Sequence, residues 1–331
     1  MNRIIRLAFA AAAGAAAICA APSALAQQPV QWKAVTAWQK NFNFNDKFVE
    51  WTQRVTQRSK GRMKIDVIGG PEVYPSFEQL EPLRRNVFQV MITSTAYVAG
   101  ALPEVNATWF GFGATPVQLR EAGLVGLLDK VTREKSGVSL LGFPLWQRFN
   151  VFVAKQISKA DFTGMKLRTT PIYEPVLKGL GAATVTVQPA ELLTALESGI
   201  VDGFAWPATF VVAPGYARAV KFKVTPFWWA AADIALMNAQ AYDALPADLK
   251  KLMVDTMREI ERETPAYYLA KEKADDNELA KMGVKTIETS AADLAKIRKI
   301  HWEEGTKTFL ISRSPKYGQQ LKDMMAKFAP K

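Results

Sequence analysis

Apolar and polar residues follow regular periods through the part of the chain after the N-terminal segment. Alternation predicts strands, while Phe44, Phe48, Trp51 and Val55, spaced by four, three and four residues, predict an amphipathic helix. The predicted order is strand, helix, strand, helix and strand, at Val30–Ala37, Phe44–Val55, Met63–Ile68, Phe77–Val87 and Val90–Ile92. This order is typical of parallel β-α-β units.

The same rhythm returns in the second half of the chain. Strands are predicted at Met165–Thr169, Thr184–Val187 and Ile200–Phe204, and helices at Tyr173–Leu180 and Ala190–Ser198. Between the halves we predict a loop, a helix and two strands, at Trp109–Gly113, Val117–Lys130, Val138–Phe143 and Phe149–Val153. Residues 246–330 favour helices, with one short strand at Val284–Ile287. We therefore expect two α/β halves, a helical C-terminal third and a ligand cleft between the halves.

The N-terminal segment has the three parts of a secretory signal peptide. Arg3 and Arg6 precede the uncharged run Leu7–Ala21, and Ala24-Leu25-Ala26 has the small-x-small pattern of a cleavage site. We predict that residues 1–26 are removed by cleavage after Ala26. The alternative is a buried or membrane-anchoring helix, but the apolar run is short for a membrane span.

Composition narrows the class of protein. The 331-residue chain is 49% hydrophobic and 22% charged, which excludes a disordered chain, a disulfide scaffold and a polytopic membrane protein. The only cysteine, Cys19, lies in the predicted signal peptide, so the exported chain has no thiol chemistry. Loss of the signal peptide lowers the formal charge from +11 to +9. Because both signs are interleaved, we expect a solvated surface and no nucleic-acid partner.

The sequence lacks the residue sets that most catalytic sites need. His301 is the only histidine, so a Ser-His-Asp triad or a histidine-ligated zinc would have to use it. We interpret it as a packing or surface histidine on a helix. The acidic pairs Asp275-Asp276 and Glu303-Glu304 lie in charged helical stretches and indicate solvated faces. Phosphate-binding glycine motifs are also missing, and together these absences favour a binding protein over an enzyme.

One block of the chain contains highly specific motifs. Asp161-Phe-Thr-Gly-Met-Lys-Leu-Arg168 is followed by Leu180-Gly-Ala-Ala183 and then by Ala195-Leu-Glu-Ser-Gly-Ile-Val-Asp-Gly203. With Ser59–Ile65 and Tyr242–Leu249, this order and spacing resembles the DctP-like solute-binding proteins of tripartite ATP-independent periplasmic (TRAP) transporters. The resemblance covers essentially the whole exported chain.

The resemblance implies the fold, the location and the partners. It implies an α/β, two-lobed fold of the periplasmic binding protein kind (type II-like), with an interlobe cleft and long C-terminal helices. We expect lobe I at residues 27–146 and about 236–275, and lobe II at residues 147–235 and about 276–331. It also implies a periplasmic receptor that delivers an organic carboxylate to a small and a large membrane subunit. No catalytic residue, cofactor, metal site or membrane insertion is expected.

Two residues are the main candidates for the ligand contact. The resemblance implies that Arg168 forms a paired salt bridge with the ligand carboxylate, and a planar guanidinium with parallel N–H donors suits that role. The alternative is that Arg168 pairs with a structural aspartate. Trp206 stands where the family commonly has an asparagine, so a flat indole replaces a polar contact. The alternative is that Trp206 packs in the core.

The other candidates fall where the family's cleft-lining segments belong. The register on the strand entering lobe II leaves Gln147 or Arg148 facing the ligand. One of Trp228 and Trp229 should face the cleft and the other the core, because strand neighbours point to opposite sides; we include Trp229 among the candidates. The remaining candidates are Trp38, Asn41, Glu72, Tyr74, Ser94 and Asp233.

The tryptophans also indicate the ligand class. Trp206 and the tryptophans expected near the cleft, including Trp109, offer flat apolar surface rather than partners for many hydroxyls. We predict a monocarboxylate with an aromatic or branched apolar body, including 2-oxo and 2-hydroxy forms, over a C4-dicarboxylate or sialic acid. Two other functions stay open at this point. One is an exported enzyme with Glu72 or Asp233 as a base, and the other is the binding protein of an ATP-driven or tricarboxylate-type importer.

Overall fold

The computed structural model describes residues 29–157 and 160–329. The predicted signal peptide and its cleavage site lie outside these residues. In the described ranges, no helix is both long enough and apolar enough to cross a membrane.

A mixed β-sheet forms the centre of the described part of the chain. Its strands are β1 (Val30–Thr36), β2 (Met63–Gly69), β3 (Val90–Thr93), β4 (Val138–Val153), β5 (Lys166–Thr169), β6 (Ala183–Thr186), β7 (Gly203–Pro207), β8 (Phe222–Asn238) and β9 (Lys285–Glu288). They lie side by side in the order β2-β1-β3-β8-β4-β7-β5-β6, and β9 pairs with β8. The predicted parallel units are present, because β1 runs parallel to β2 and β3, and β5 runs parallel to β6 and β7.

Two long antiparallel strands join the halves of this sheet. β4 and β8 pair along their length, β3 adds to β8 in the first half, and β7 adds to β4 in the second. The sequence predicted two separate strands where β4 is continuous. Every residue of β4 except Arg148 is buried, and a strand that is covered on both faces has no alternating pattern from which to read its length.

Helices cover the sheet. They are α1 (Asp46–Arg58), α2 (Leu80–Arg84), α3 (Pro116–Glu121), α4 (Leu124–Ser136), α5 (Glu174–Gly179), α6 (Leu192–Glu197), α7 (Ala239–Asp243), α8 (Ala247–Lys281), α9 (Ala291–Ile300) and α10 (Gly318–Met325). The helix predicted at Val117–Lys130 is two helices, because Gly123 has a φ of +85° between them. The predicted loop at Trp109–Gly113 belongs largely to a 3₁₀ helix, Pro103–Gly111.

The 35-residue helix α8 contacts both halves of the sheet. Near its middle, Glu261 accepts a hydrogen bond from Arg120 of α3 at 2.7 Å. Three turns later, Glu272 accepts one from Arg148 of β4 at 2.8 Å. The predicted long C-terminal helix therefore connects the two halves that the sequence assigned to different lobes.

The last part of the chain contacts both halves. The lobe boundaries remain a prediction, and residues 276–331 were assigned to lobe II. A π-helix, His301–Ile311, and α10 pack on Pro103–Gly111 of the first half. The fit is close, since a Cβ on Gly305 would lie 2.7 Å from the Phe110 ring. Residues 301–325 thus contact the first half as well as α5 of the second half, and their assignment to a lobe stays a prediction.

Candidate functional site

A cavity lies between the two halves of the sheet. The cavity is narrow, with about 20 Å³ of free space, which is room for about one water molecule. Segments of both halves contribute side chains to its wall. The lining residues are Trp38, Phe44, Ser94, Tyr97, Trp109, Gln147, Phe149, Arg168, Thr170, Tyr173, Trp206, Pro207 and Asp233.

Arg168 provides the positive charge of the cavity. On β5, Lys166 is exposed and Arg168, two residues on, is 1% exposed. Its Nε donates to the carbonyl oxygen of Val187 at 3.1 Å, and its Nη1 donates to the hydroxyl of Tyr173 at 2.9 Å. Nη2 is buried and makes no hydrogen bond of normal geometry with the described residues. Against the effect of burial, the nearby Tyr97 hydroxyl favours the charged guanidinium and helps to raise the pKa of Arg168. In the same ranges, no carboxylate oxygen lies within 4.0 Å of this guanidinium, so the structural aspartate considered as its partner is not found.

Aromatic side chains hold the guanidinium on two sides. The Tyr173 hydroxyl that receives Nη1 donates in turn to the carbonyl oxygen of Ala205, at 3.2 Å. The carbon at the centre of the Arg168 guanidinium lies 5.0 Å from the centre of the Trp206 ring, within the range of a cation–π contact. Trp206 is 2% exposed, and its Nε1 lacks a hydrogen-bond acceptor among the described atoms. Trp206 therefore lines the cavity, and its indole N–H is a second unused donor.

The acidic group of the cavity is Asp233 of β8, which is 2% exposed. Its Oδ1 accepts a hydrogen bond from the backbone N–H of Thr95 at 3.2 Å. Burial raises the pKa of Asp233 to about 7, although hydrogen bonds from the Ser94 hydroxyl and the Thr95 N–H act in the opposite direction. Asp233 therefore changes charge near neutral pH.

Gln147 of β4 adds a neutral polar group. Its Nε2 donates to the hydroxyl of Thr209 at 2.8 Å, which fixes the orientation of the amide. Its Oε1 is buried and accepts no hydrogen bond from any described residue. Buried polar atoms are normally paired, so this oxygen is an unused acceptor on the cavity side.

Trp109 forms one aromatic wall of the cavity, and His301 packs behind it. Trp109 donates from Nε1 to the Thr95 hydroxyl at 2.8 Å, and its ring centre lies 4.6 Å from that of Phe149. Nε2 of His301 lies 3.3 Å from the carbonyl oxygen of Trp109. Burial lowers the pKa of His301 to about 4, with the bond to Trp109 opposing the shift. His301 is thus a neutral packing residue behind the wall, in agreement with the packing interpretation.

Six of the predicted site residues, and Trp109, lie together at this cavity. The six are Trp38, Ser94, Gln147, Arg168, Trp206 and Asp233. Of the two candidates on β4, Gln147 lines the cavity. Arg148 points the other way and forms an ion pair with Glu272, as expected for neighbours on a strand.

The other predicted site residues lie away from the cavity wall. Asn41 is exposed, and Glu72 is exposed with its Oε1 accepting from the N–H of Gly70 at 2.8 Å. Tyr74 packs near Phe88, with ring centres 5.7 Å apart. None of these three side chains is on the cavity wall, although Trp38 and Phe44, which flank Asn41 in the chain, are. Their placement at the cavity is therefore corrected.

The two adjacent tryptophans of β8 are both 1% exposed and both outside the wall. Trp229 stacks on Tyr173 with ring centres 5.4 Å apart, so Tyr173 separates it from the cavity. Trp228 donates from Nε1 to the Thr289 hydroxyl at 3.1 Å. The placement of Trp229 at the cavity wall is therefore corrected, and it supports Tyr173 from behind.

Several lining residues were missed in the sequence. They are Phe44, Tyr97, Phe149, Thr170, Tyr173 and Pro207. Phe44 belongs to the apolar stripe that predicted a helix, so its period indicated core. Thr170 and Tyr173 follow the Arg168 motif at the end of β5. Position after a strand end was therefore an available signal for these two residues.

A comparison with protein-family models identifies the chain. Residues 34–308 match the model of DctP, the bacterial extracellular solute-binding proteins of family 7. The chain belongs to this family. The predicted DctP-like resemblance is confirmed, and family 7 consists of solute-binding proteins for transport rather than enzymes.

Individual members of the wider family are similar over most of the chain. A solute-binding protein of Albidiferax ferrireducens is 26% identical over 289 residues, covering 80% of this family 7 chain and 82% of that protein. A TRAP periplasmic solute-binding protein of Desulfovibrio salexigens, with bound orotic acid, superposes with a TM-score of 0.83 at 21% identity, over 90% of this chain and 98% of that one.

A second solved structure extends the comparison. It is a TRAP periplasmic solute-binding protein of Pseudoalteromonas atlantica with bound sodium and pyruvate, with a TM-score of 0.80 at 20% identity over 91% of this chain and 94% of that one. These similarities confirm the predicted two-lobed α/β fold.

Proposed function

We propose that this family 7 protein is a TRAP receptor that binds a small organic carboxylate in the cavity around Arg168. One observation supports this most strongly: Nη2 of a fully buried, permanently charged guanidinium makes no hydrogen bond of normal geometry with the described residues. An uncompensated buried charge is costly. A ligand carboxylate on Nη2 would remove that cost and provide the negative charge that the surrounding residues do not.

The unused polar atoms indicate what else the ligand offers. Arg168 Nη2 and Trp206 Nε1 are unused donors, and Gln147 Oε1 is an unused acceptor beside the acidic Asp233. A ligand that satisfies all of them has acceptor oxygens at one end and a hydrogen-bond donor near Gln147 and Asp233. A 2-hydroxy acid, or a ring acid with an N–H group, fits this description without a further component.

A 2-oxo acid has only acceptors, so it would need a cation on the acidic side. The Pseudoalteromonas atlantica protein contains sodium with its pyruvate. Here the carboxylate of Asp233 and the oxygen of Gln147 are the kind of ligands that Na⁺ and Ca²⁺ prefer. Among the described residues, no group of three His, Cys, Asp or Glu side chains could hold a metal alone. The ligand's own oxygens would therefore complete the coordination, and the cation would neutralise Asp233.

The walls favour a flat or apolar ligand body. Ring surface on the cavity wall comes from Trp38, Phe44, Trp109, Phe149 and Trp206. An aromatic pair contributes about 0.5–1.5 kcal/mol beyond its area burial. We therefore keep the predicted ligand class, a monocarboxylate with an aromatic or branched apolar body, over dicarboxylates and sugar acids. We also propose Arg168, Gln147, Trp206 and Asp233 as the principal ligand contacts.

The membrane partners and the cellular location follow from this role. We propose that the signal peptide is cleaved after Ala26 and that the periplasmic protein delivers its ligand to a small and a large TRAP membrane subunit. The enzyme alternative would rely on Asp233, since Glu72 lies outside the cavity. Product analysis after prolonged incubation with a bound ligand should show no turnover.

A matched ligand panel tests the proposal. Benzoate, picolinate, orotate, pyruvate, lactate, succinate and a hexuronate are titrated into the protein by calorimetry, with and without CaCl₂, and each is compared with its neutral carboxamide. We expect at least one acid to bind while its amide does not, because only the negatively charged acid can pair with the Arg168 guanidinium. Equal binding of acid and amide would overturn the proposal, as would tight binding of succinate or a hexuronate alone.

A further inference from the structure

Four aromatic side chains make a contact between the two halves beside the cavity. Phe42 and Phe44 follow β1 in the first half, and Trp206 and Phe210 belong to β7 and the turn after it in the second half. The ring centres of Phe42 and Phe210 are 4.2 Å apart, and Phe44 lies 5.8 Å from both Phe210 and Trp206. Phe42 and Phe210 are buried, but neither lines the cavity.

Phe210 takes an unusual backbone conformation to reach this contact. Its φ is +61°, in the left-handed region that bulky residues rarely adopt. The conformation is stabilised from α8, where the Asp275 carboxylate accepts hydrogen bonds from the N–H groups of Val211 at 2.7 Å and Val212 at 3.4 Å. A strained residue that is held in place by a dedicated acceptor indicates a function for its side chain.

The opposite side of the contact is held by the same helix. The Tyr268 hydroxyl donates to the carbonyl oxygens of Asn43 at 3.0 Å and Phe44 at 3.3 Å. Tyr268 and Asp275 are seven residues apart, which places them on one face of α8, two turns from each other. The helix therefore positions both turns so that Phe42 and Phe210 meet.

We infer that the Phe42–Phe210 contact, positioned by Tyr268 and Asp275, sets the affinity and release rate of the ligand without touching it, by favouring the closed arrangement of the two halves. The reason is thermodynamic. A binding protein whose closed form is only partly populated loses apparent affinity by that fraction. The contact buries apolar rings only when the halves meet, so it raises the closed fraction before any ligand arrives. Its effect on affinity rests on the proposed function, whereas its effect on closure does not.

Labelling distances test the closure directly in the ligand-free protein. The exported chain is predicted to have no cysteine, so Lys64→Cys on β2 and Glu197→Cys on α6, both exposed, accept spin labels selectively. We expect Phe210→Leu and Phe42→Leu each to lower the ratio of molecules with a short label distance to molecules with a long one. The decrease should be about two- to tenfold, the change in an equilibrium that the loss of one aromatic pair produces. Asp275→Ala should produce the same change, because it releases the turn.

A second aromatic pair provides the matched control. Phe152 and Phe204 stack at 5.3 Å on adjacent strands of the second half, and both are fully buried. Phe152→Leu should lower the melting temperature as Phe210→Leu does, but should leave the label distances at wild-type values. If Phe210→Leu also leaves them unchanged, the contact is ordinary core and the inference is wrong.

Ligand kinetics separate this inference from the proposed function. With pyruvate and CaCl₂, or with orotate, Phe210→Leu should accelerate dissociation by about two- to tenfold relative to wild type and to Phe152→Leu. If neither probe binds the wild type, the label distances still decide the inference, and only the ligand assignment is affected. Wild-type dissociation rates in Phe210→Leu, with altered label distances, would contradict the part that concerns release.

Discussion

Arg148 and Arg168 show how the same side chain serves two regions of one sheet. Arg148 leaves β4 toward α8, where it meets the carboxylate of Glu272 at 2.8 Å and lies 4.9 Å from the Phe227 ring centre. Arg168 leaves β5 toward the cavity, where it meets carbonyl and hydroxyl oxygens but no carboxylate among the described residues. An arginine that is paired within the chain supports the fold. An arginine left with an unused donor in a cavity requires its counter-charge from outside.

Removal of Arg168 is expected to have the largest effect on binding. Arg168→Ala should weaken carboxylate binding by hundreds- to thousands-fold, because breaking a buried charge pair typically costs about 3–5 kcal/mol. Arg168→Lys should also bind poorly, since an ammonium cannot replace the fork of parallel donors. Calorimetry with the acid selected from the panel measures both. Near-normal affinity in Arg168→Ala would mean that the carboxylate is held elsewhere.

Asp233 should make stability depend on pH between about 4 and 7. Its folded pKa is about 7 against an ordinary 3.8, so the native state takes up a proton over this range before the unfolded state does. Stability should therefore rise as pH falls from 8 to 5, by about 3 kcal/mol, because about two pKa units are crossed at 1.36 kcal/mol each. Urea unfolding of wild type and Asp233→Asn measures the difference, which should be largest at pH 8.

The same titration should affect binding of an anion. Above pH 7 the Asp233 carboxylate repels an anionic ligand unless a cation lies between them. Wild-type affinity without CaCl₂ should weaken as pH rises through 7, while affinity in Asp233→Asn stays level. The Ser94 hydroxyl and the Thr95 N–H bond to this carboxylate, and the Tyr97 and Tyr268 hydroxyls lie near it. Burial raises the pKa of Tyr97 to about 12 and that of Tyr268 well above its ordinary value, so none of these groups titrates in this range. A flat profile for both proteins would remove Asp233 from the ligand contacts.

Arg148→Ala is the matched control for Arg168→Ala, and we expect it to affect folding but not ligand binding. Arg148→Ala leaves Glu272, whose side chain is 10% exposed, without its partner. We expect a loss of about 1–3 kcal/mol in the free energy of unfolding, as for a buried polar group left unpaired. Ligand affinity should stay within about twofold of wild type, because Gln147 rather than Arg148 faces the cavity. A large loss of affinity would contradict the opposed roles of the two arginines.

Trp206 is expected to have the smallest effect and to distinguish ligand classes. Trp206→Phe keeps a ring beside Arg168 but removes the unused Nε1 donor, and should weaken binding by about two- to tenfold. Trp206→Asn restores the polar residue common in the family and should reduce affinity for aryl acids more than for succinate. The ratio of the two affinities, measured by competition, is the informative quantity. An unchanged ratio would show that the indole does not select the ligand body.

Local periodicity predicted most elements and failed where a residue was covered on both sides. β1, α1, β2 and β3 match the predicted positions closely. The helix α1 and the strand β2 each have one face in the core and one toward solvent, whereas β3 is buried throughout but short enough to be recognised as an apolar run. β4 is buried on both faces, and its length could not be read from the pattern. The helix predicted at Phe77–Val87 shrinks to α2, since Asn86 adopts a φ of +58° and ends the helix early.

The sequence by itself determined the family, the order of the elements and the central role expected of Arg168, since these depend on motifs and on local periods. Only the tertiary structure decided that Gln147 faces the cavity and Arg148 does not, that Tyr173 stands in front of Trp229, and that residues 301–325 contact the first half. The physical reason is that burial leaves the same apolar signal whether a side chain faces packed core or enclosed empty space. Which of the two it meets depends on contacts between residues distant in the chain, and no local period contains them.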